Sequence, residues 1–284
     1  MDELPALRHI WDEVFGTGGG IFFSHCCDPK MCVVVTQDNK PVSMGHLLPA
    51  GNFTYGETKI PCAMIFAVAT LNKYRGKGYA GDVVDGLIQL AREKSYGAVI
   101  LRPADDWLFE YYGGRSGFSE FFYINEQKYS IDSLTNKCSN KVNLKEILPD
   151  EYFILRNEFL IKRPHIESTP HAIAYQSLLC KEYGGGLYRA ALGSESSVYA
   201  IAAVEKDIGN KVIIKELLVR SGETDVLSAV AALFPASEYI VRTPSDQAIS
   251  SRFGMLSPLS EAANNLFNDV QIKKTAPWYG LAFD

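Results

Sequence analysis

Apolar residues at three- and four-residue spacing open the chain. Leu4, Leu7, Ile10, Trp11, Val14 and Phe15 fall on one helical face, which predicts a helix over residues 4–15 closed by the glycines of 16–20. After the aromatic Ile21-Phe22-Phe23 the period changes. Met31-Cys32-Val33-Val34-Val35 and Val42-Ser43-Met44-Gly45-His46-Leu47-Leu48 flank a turn at Asp38-Asn39-Lys40, the pattern of an antiparallel hairpin. The apolar run 63–71 predicts a strand beside it. Residues 79–94 return to helical spacing, with Val83, Val84, Leu87, Ile88, Leu90 and Ala91 on one side and Asp82, Asp85, Gln89, Arg92 and Glu93 polar. The continuous apolar run Ala98-Val99-Ile100-Leu101 then reads as a strand covered on both faces, parallel to 63–71 and joined to it through the helix. Residues 107–112 predict a short helix ended by Gly113-Gly114, and 118–129 a further strand.

Residues 130–142 are polar and weakly patterned, as a surface connection would be, and place a domain boundary near residue 140. At 284 residues the chain is long for one ordinary domain. The division expected is residues 1–135 and 143–284. Beyond the boundary come predicted helices at 149–160 and 172–181, strands at 187–192, 198–204 and 212–219, an apolar helix at 225–234, and a strand at 239–246. Tyr239-Ile240-Val241-Arg242-Thr243-Pro244-Ser245-Asp246 is similar to Val99-Ile100-Leu101-Arg102-Pro103-Ala104-Asp105, which points to an internal duplication.

Composition narrows the function classes. Apolar residues at 47% and charged residues at 21% describe a globular protein, and no run approaches the ~20 apolar residues of a membrane helix. The start, Met1-Asp2-Glu3-Leu4-Pro5, lacks the regions of a signal peptide, so the cytoplasm is the expected location. A formal net charge of −5 and no long Lys/Arg block argue against nucleic acid, and are compatible with a cationic amine substrate. Six cysteines without C-x-x-C pairing read as buried free thiols. His25, Cys26, Cys27 and Cys32 lack a second ligand pair at a familiar interval, so no metal is expected.

The chemistry concentrates at Arg75-Gly76-Lys77-Gly78-Tyr79-Ala80, between an apolar strand and an amphipathic helix. Glycines let the backbone curl around an anion, and the free N–H groups at the following helix N-terminus point at it with the positive end of the helix dipole. The phosphate loop G-x-x-x-x-G-K-[ST] is absent. Gly76, Gly78 and Gly81 do satisfy G-x-G-x-x-G, a dinucleotide-binding alternative, but the preceding antiparallel hairpin does not fit a Rossmann unit. The duplicate helix is entered through Arg220-Ser221-Gly222-Glu223-Thr224-Asp225, where Glu223 and Asp225 would repel a pyrophosphate and cap the helix themselves.

With its strand, loop, helix and downstream aromatic helix, this segment satisfies R/Q-x-x-G-x-G/A and resembles the acetyl-CoA site of the GNAT superfamily of N-acetyltransferases. The resemblance covers residues 20–125 and implies an α/β fold with a mixed sheet, with 143–284 as a second, degenerate GNAT-like domain. It implies that Val68, Ala69 and Thr70 present backbone groups to the pantetheine arm, and that Arg75, Gly76, Lys77, Gly78, Tyr79 and Ala80 wrap the pyrophosphate. It also implies acetyl-CoA as cosubstrate and an amine acceptor: a small molecule, amino acid or peptide. The family's usual first strand is lacking, which leaves an open sheet edge that a second domain or another subunit could cover. Oligomerisation is thus left open.

Acetyl transfer from a thioester needs a neutral amine, a polarised carbonyl and a proton for the thiolate. The backbone N–H near Val68 is the candidate for the carbonyl. By the resemblance, the acid is Tyr112, in the helix ahead of Gly117-Phe118; the spacing is one residue longer than usual, which keeps Tyr111 as a substitute. The strand before the loop has no carboxylate, so Glu57 from the preceding loop and His46 from the neighbouring strand are the candidate bases. Some tandem relatives use a C-terminal carboxylate, which adds Asp284. The missing strand carboxylate and shifted tyrosine also suit a second reading, a non-catalytic acyl-CoA-binding or regulatory module.

Overall fold

The computed structural model describes residues 4–16, 19–135, 142–192, 198–207, 209–245 and 251–283. In chain order the elements are α1 (Leu4–Phe15), α2 (Gly19–His25), β1 (Cys32–Gln37), β2 (Lys40–Tyr55), β3 (Thr58–Thr70), α3 (Tyr79–Glu93), β4 (Ala98–Leu101), α4 (Asp106–Ser116), β5 (Ser119–Ser130), α5 (Ile131–Thr135), β6 (Val142–Glu146) and α6 (Pro149–Leu160). There follow β7 (His165–Glu167), α7 (Pro170–Glu182), β8 (Gly186–Leu192), β9 (Val198–Asp207), β10 (Lys211–Val219), α8 (Glu223–Leu233), β11 (Glu238–Pro244), β12 (Ser251–Pro258), α9 (Glu261–Phe267) and α10 (Val270–Lys274).

Two compact units emerge, and neither is one continuous stretch. The first holds residues 1–53, 59–121 and 254–269; the second holds 54–58, 122–253 and 270–284. In the first unit the strand order is β1-β2-β3-β4-β12. β1 and β2 are antiparallel, joined through Asp38 and Asn39 at φ +51° and +58°, the paired left-handed residues of a two-residue hairpin turn. β3 and β4 run parallel, bridged by α3, and β4 pairs antiparallel with β12 through Met255↔Leu101 and Leu256↔Ile100. Its core packs Val83, Val84, Leu87 and Ala91 of α3 against Leu47, Ala63, Ile65 and Val99 of the sheet. Those helical residues recur at three- and four-residue spacing, so a single face of α3 buries them.

The second unit orders its strands β5-β11-β10-β9-β8-β6. Here too a parallel pair, β10 and β11, brackets a helix, α8, while β9, β8 and β6 continue antiparallel. Both units therefore contain strand, helix and parallel strand. Val226, Val230 and Ala231 of α8 close the apolar side against Ala202, Val204, Val212 and Ile214.

The structure departs from the sequence expectation at several elements. α4 does not stop at Gly113-Gly114 but continues to Ser116, and Gly117 at φ +67° ends it. Residues 19–25, left without an element, form a helix, and the connection after residue 130 includes the one-turn α5. No helix of the described residues is long and apolar enough to cross a membrane.

A buried charge network lies inside the second unit. Arg156 and Glu216 are both fully buried. Arg156 Nε donates to both Glu216 oxygens at 3.1 and 2.9 Å, and Nη2 donates to Oε1 at 3.0 Å. The Tyr152 hydroxyl and Trp278 Nε1 also donate to that carboxylate, at 2.9 and 2.6 Å. Nη1 donates to the Ile166 carbonyl at 2.8 Å and Nη2 also to the Tyr279 carbonyl at 3.2 Å. Burial, then the adjacent Glu216 charge, pushes the Tyr152 phenol well above its ordinary range. Replacing one partner leaves the other charge buried and uncompensated. Arg156→Met is therefore expected to destabilise the protein by about 3–5 kcal/mol, read from chemical denaturation, and Arg156→Met/Glu216→Leu to recover much of that loss. A loss below about 1 kcal/mol for the single variant would contradict this account.

Candidate active site

A cleft of about 660 Å³ in the first unit is lined by the end of β3, the loop before α3, the start of α3 and one face of α4. Its geometry starts with a ladder that stops early. β3 and β4 pair only through Cys62↔Ala98, Ala63↔Val99 and Met64↔Ile100, while β3 continues to Thr70. Val68, Ala69 and Thr70 thus have no ladder partner on the β4 side, and all three line the cleft. Just ahead of them Ala67 has φ +52°, a left-handed conformation inside a strand that costs an alanine of the order of 1–3 kcal/mol. Such a kink re-aims the backbone that follows.

The strand end is held from several sides. The Ser43 hydroxyl donates to the Ala69 carbonyl at 2.9 Å and lies 2.7 Å from the Thr70 hydroxyl. Leu71 N–H donates to the Val42 carbonyl, and Arg75 Nε donates to the Thr70 carbonyl at 3.2 Å. Asn72 N–H donates to Glu13 Oε1 of α1 at 2.7 Å. On the far side of the loop the Tyr79 hydroxyl donates to Gln37 Oε1 at 2.9 Å. The loop is therefore fixed at both ends.

Between those anchors Gly76 has φ +76° and Gly78 +89°, and Gly78 is the N-cap of the 15-residue α3. A β-carbon added at either glycine would meet no protein atom within 4 Å, and both glycines line the cleft. Among the described residues the N–H groups of Gly76, Lys77, Gly78, Tyr79 and Ala80 have no hydrogen-bond acceptor; the first loop-to-helix bonds are Gly81 and Asp82 N–H to the Gly78 carbonyl. Consecutive free donors at a helix N-terminus, with open space in front, make an anion cradle. The residues present fit a diphosphate. Lys77 departs from its neighbours, for it does not line the cleft and its ammonium lies 5.2 Å from the Tyr74 ring.

The opposite wall comes from α4. Leu108, Tyr111, Tyr112 and Arg115 are spaced i, i+3, i+4 and i+7, and all line the cleft. Burial, with a smaller contribution from Tyr111, pushes the Tyr112 phenol up to about 12. Its ring packs edge-on against Phe118 and Tyr111. Both tyrosine candidates thus reach the cleft. Arg115 was not among the residues expected, because a helix ended at Gly113 excludes it; the i, i+3, i+4, i+7 series running through the glycines is the signal that finds it. A side chain on Gly81 would collide with the Arg115 guanidinium, so glycine there lets the arginine lie over the first turn of α3. Asp82 faces it at 3.7 Å, with both side chains largely exposed.

The candidate bases are placed differently. His46 is 1% exposed on β2, edge-on to Phe22 at 4.8 Å; it does not line the cleft, and its Nε2 has no hydrogen-bond partner. Burial lowers its pKa to about 4, so it is neutral at physiological pH. Glu57 is exposed in the turn after β2 and does not line the cleft. Asp284 lies outside the described residues. Asp105, the residue before α4, is the acidic side chain that lines the cleft among the described residues, and it makes no capping bond. The cysteines Cys26, Cys27, Cys32, Cys62 and Cys180 are free thiols, but only Cys62 and Cys180 of these are buried as expected; Cys26, Cys27 and Cys32 are half-buried near the surface.

Comparison with known proteins follows this geometry. Residues 1–119 match the acetyltransferase (GNAT) domain family. No curated protein matches the chain. Among solved structures, a GCN5-related N-acetyltransferase from Anabaena variabilis superposes with a TM-score of 0.69 at 15% identity, over 93% of this chain and 72% of that one. Eis1 from Mycobacterium abscessus superposes with a TM-score of 0.63 at 9% identity, over 97% of this chain and 79% of that one. A tandem GNAT protein from the clavulanic acid biosynthesis pathway gives 0.56 at 14% identity, over 91% and 96% of the two chains. Residues 1–119 thus resemble the acetyltransferase (GNAT) domain family, and the chain as a whole has the fold of GNAT N-acetyltransferases, a tandem one among them.

Proposed function

We propose that the protein is a cytoplasmic, acetyl-CoA-dependent N-acetyltransferase acting by direct attack on a primary amine of a small molecule, amino acid or peptide. One observation carries this reading: the free N–H groups of Gly76, Gly78, Tyr79 and Ala80 stand at the same cleft as the unladdered end of β3 and the half-buried Tyr112. Bound there, acetyl-CoA would supply an activated thioester acetyl group. The N–H groups of Gly76, Lys77, Gly78, Tyr79 and Ala80 would hold its diphosphate, with Arg115 adding a side-chain cation over the same turn. Val68, Ala69 and Thr70 would offer backbone groups to the pantetheine arm. The backbone N–H after the Ala67 kink is suited to polarise a carbonyl, since a fixed dipole in a site of low dielectric needs no reorganisation.

Proton traffic divides between two side chains. An acceptor ammonium near ~10.4 must lose a proton before attack, and Asp105 is the carboxylate we assign to take it, through water. Tyr112 keeps its own proton until a thiolate forms. With burial holding its phenol at about 12, it is protonated through the neutral and mildly alkaline range. The sign is that of a raised acid: the neutral form is favoured below that value and lost only above it.

Thiol release from acetyl-CoA across a panel of amines tests the reading; CoA binding without turnover on any amine would favour a non-catalytic CoA-binding module instead. Gly78→Val puts a β-branched side chain at a left-handed position in the cradle and is expected to weaken CoA binding by at least about tenfold in calorimetry, with Arg115→Ala producing a smaller loss. Unchanged CoA affinity in Gly78→Val would remove the cradle from the argument. Tyr112→Phe is expected to lower kcat by roughly 10²–10⁴-fold with little change in CoA affinity. The rate of the parent protein should show no tyrosine limb between about pH 6 and 9. A Tyr111→Phe variant with the larger defect would transfer the role to Tyr111.

A further inference from the structure

A second cleft, of about 430 Å³, lies wholly within the second unit and is lined by Tyr55, Phe159, Lys162, Arg163, Lys274 and Thr275. Its lining is cationic in a chain that carries 33 acidic residues against 28 basic ones, and no carboxylate lines it among the described residues. Lys162 and Arg163 follow the C-terminal end of α6, and Lys274 ends α10, where cations complement exposed carbonyls. Arg163 meets that need directly, for its Nη1 donates to the carbonyls of Ser245 at 2.8 Å and Thr275 at 3.1 Å. The ammonium groups of Lys162 and Lys274 do not, having no hydrogen-bond or carboxylate partner among the described residues. Helix ends therefore leave two cations unexplained.

The aromatic part of the lining adds a second character. Phe159 is half-buried, and the Arg220 guanidinium stacks 4.9 Å from its ring centre. Tyr55 is 39% exposed. Cations beside flat aromatic faces suit a ligand that combines anionic groups with a planar ring. The volume is that of a small-molecule site, while the chain's overall negative charge disfavours a long polyanion. We propose that this cleft is a second ligand site, for a small phosphate-bearing molecule with a planar ring. It is independent of the acetyltransferase reading, because every lining residue lies outside the first unit.

The test is calorimetric titration of the full chain with inorganic pyrophosphate and with ADP, in a Gly78→Val background so that the loop of the first unit does not compete. Both probes are expected to bind, ADP more tightly because its ring gains an aromatic contact. Lys162→Glu/Lys274→Glu is expected to weaken both by about tenfold or more, the loss of a charge-assisted contact or two, and raised salt to weaken them as well. Since both lysines are exposed, the ligand-free melting temperature of that variant should stay close to that of its parent, separating lost binding from lost folding. Absence of binding at millimolar probe, or equal affinity in the charge-reversed variant, would overturn the site. ADP binding no better than pyrophosphate would overturn the planar ring. Tight binding of a single-stranded oligonucleotide, with ADP failing, would overturn the small-molecule assignment.

Discussion

Two parallel strands cannot be joined by a tight turn. Once β3 and β4 lie side by side in the same direction, the chain must cross from the C-terminal end of one to the N-terminal end of the other, and here α3 makes that crossing. The N-terminus of α3 therefore opens beside the end of β3, and its unsatisfied N–H groups face whatever lies there. Everything assigned to the first cleft follows from this geometry. The glycines make the crossing loop tight, the short β4 leaves the end of β3 without a neighbour, and α4 closes the other wall. The same constraint governs β10, α8 and β11, and again a glycine, Gly222 at φ +72°, sits at the helix entry. What differs is charge. Glu223 and Asp225 occupy the first turn of α8, and the Tyr129 hydroxyl lies 3.4 Å from Glu223, whereas the first turn of α3 has free donors and one carboxylate, Asp82, faced by Arg115. One backbone plan thus serves two different electrostatic environments.

Much of this plan could be read from residue order, because it rests on local periodicity. α1, α3, α6, β8, β10 and β11 fall where spacing and apolar runs put them, within a residue or two at their ends, and β9 runs three residues past its expected end. The left-handed glycine loop before α3 was legible for the same reason: closely spaced glycines ahead of an amphipathic helix carry their own conformational meaning. The rest depended on tertiary context. Gly113 and Gly114 look like a stop, yet α4 continues through them, because helix propensity is a weak prior beside the packing of Phe109 and Tyr112 against the core. Ending the helix early hid Arg115. The kink at Ala67 has no sequence mark, since alanine does not announce a left-handed conformation. Asp105 is not among the candidate bases Glu57, His46 and Asp284, because nothing in residue order shows that the lining also draws on the start of α4.

The interiors of the two units use different chemistry. α3 covers its sheet with valine, leucine and alanine, a contact that tolerates small volume-conserving changes. The second unit instead ties α6, β10 and the segment around Trp278 together through Arg156 and Glu216, where each hydrogen bond has one geometry and an unpaired partner is costly. A second buried pair, Lys215 and Glu205 at 3.2 Å, has Gln176 donating to the same carboxylate. Such contacts add less net stability than apolar packing would, but they specify which segments meet. Gly280 at φ +64° fits this picture, for a β-carbon there would strike both Glu216 and the Trp278 ring.

The strand β12 has a consequence for how the polypeptide is made. Its residues from 254 onward complete the sheet beside β4, but they leave the ribosome after the whole of residues 122–253. Multidomain chains commonly fold from the N-terminus as synthesis proceeds, each part closing before the next arrives. Here the earlier part must wait with the edge of β4 uncovered while the later strands emerge. The interval exposes an apolar edge of Ala98, Val99, Ile100 and Leu101, the kind of surface on which a nascent chain depends most on chaperones.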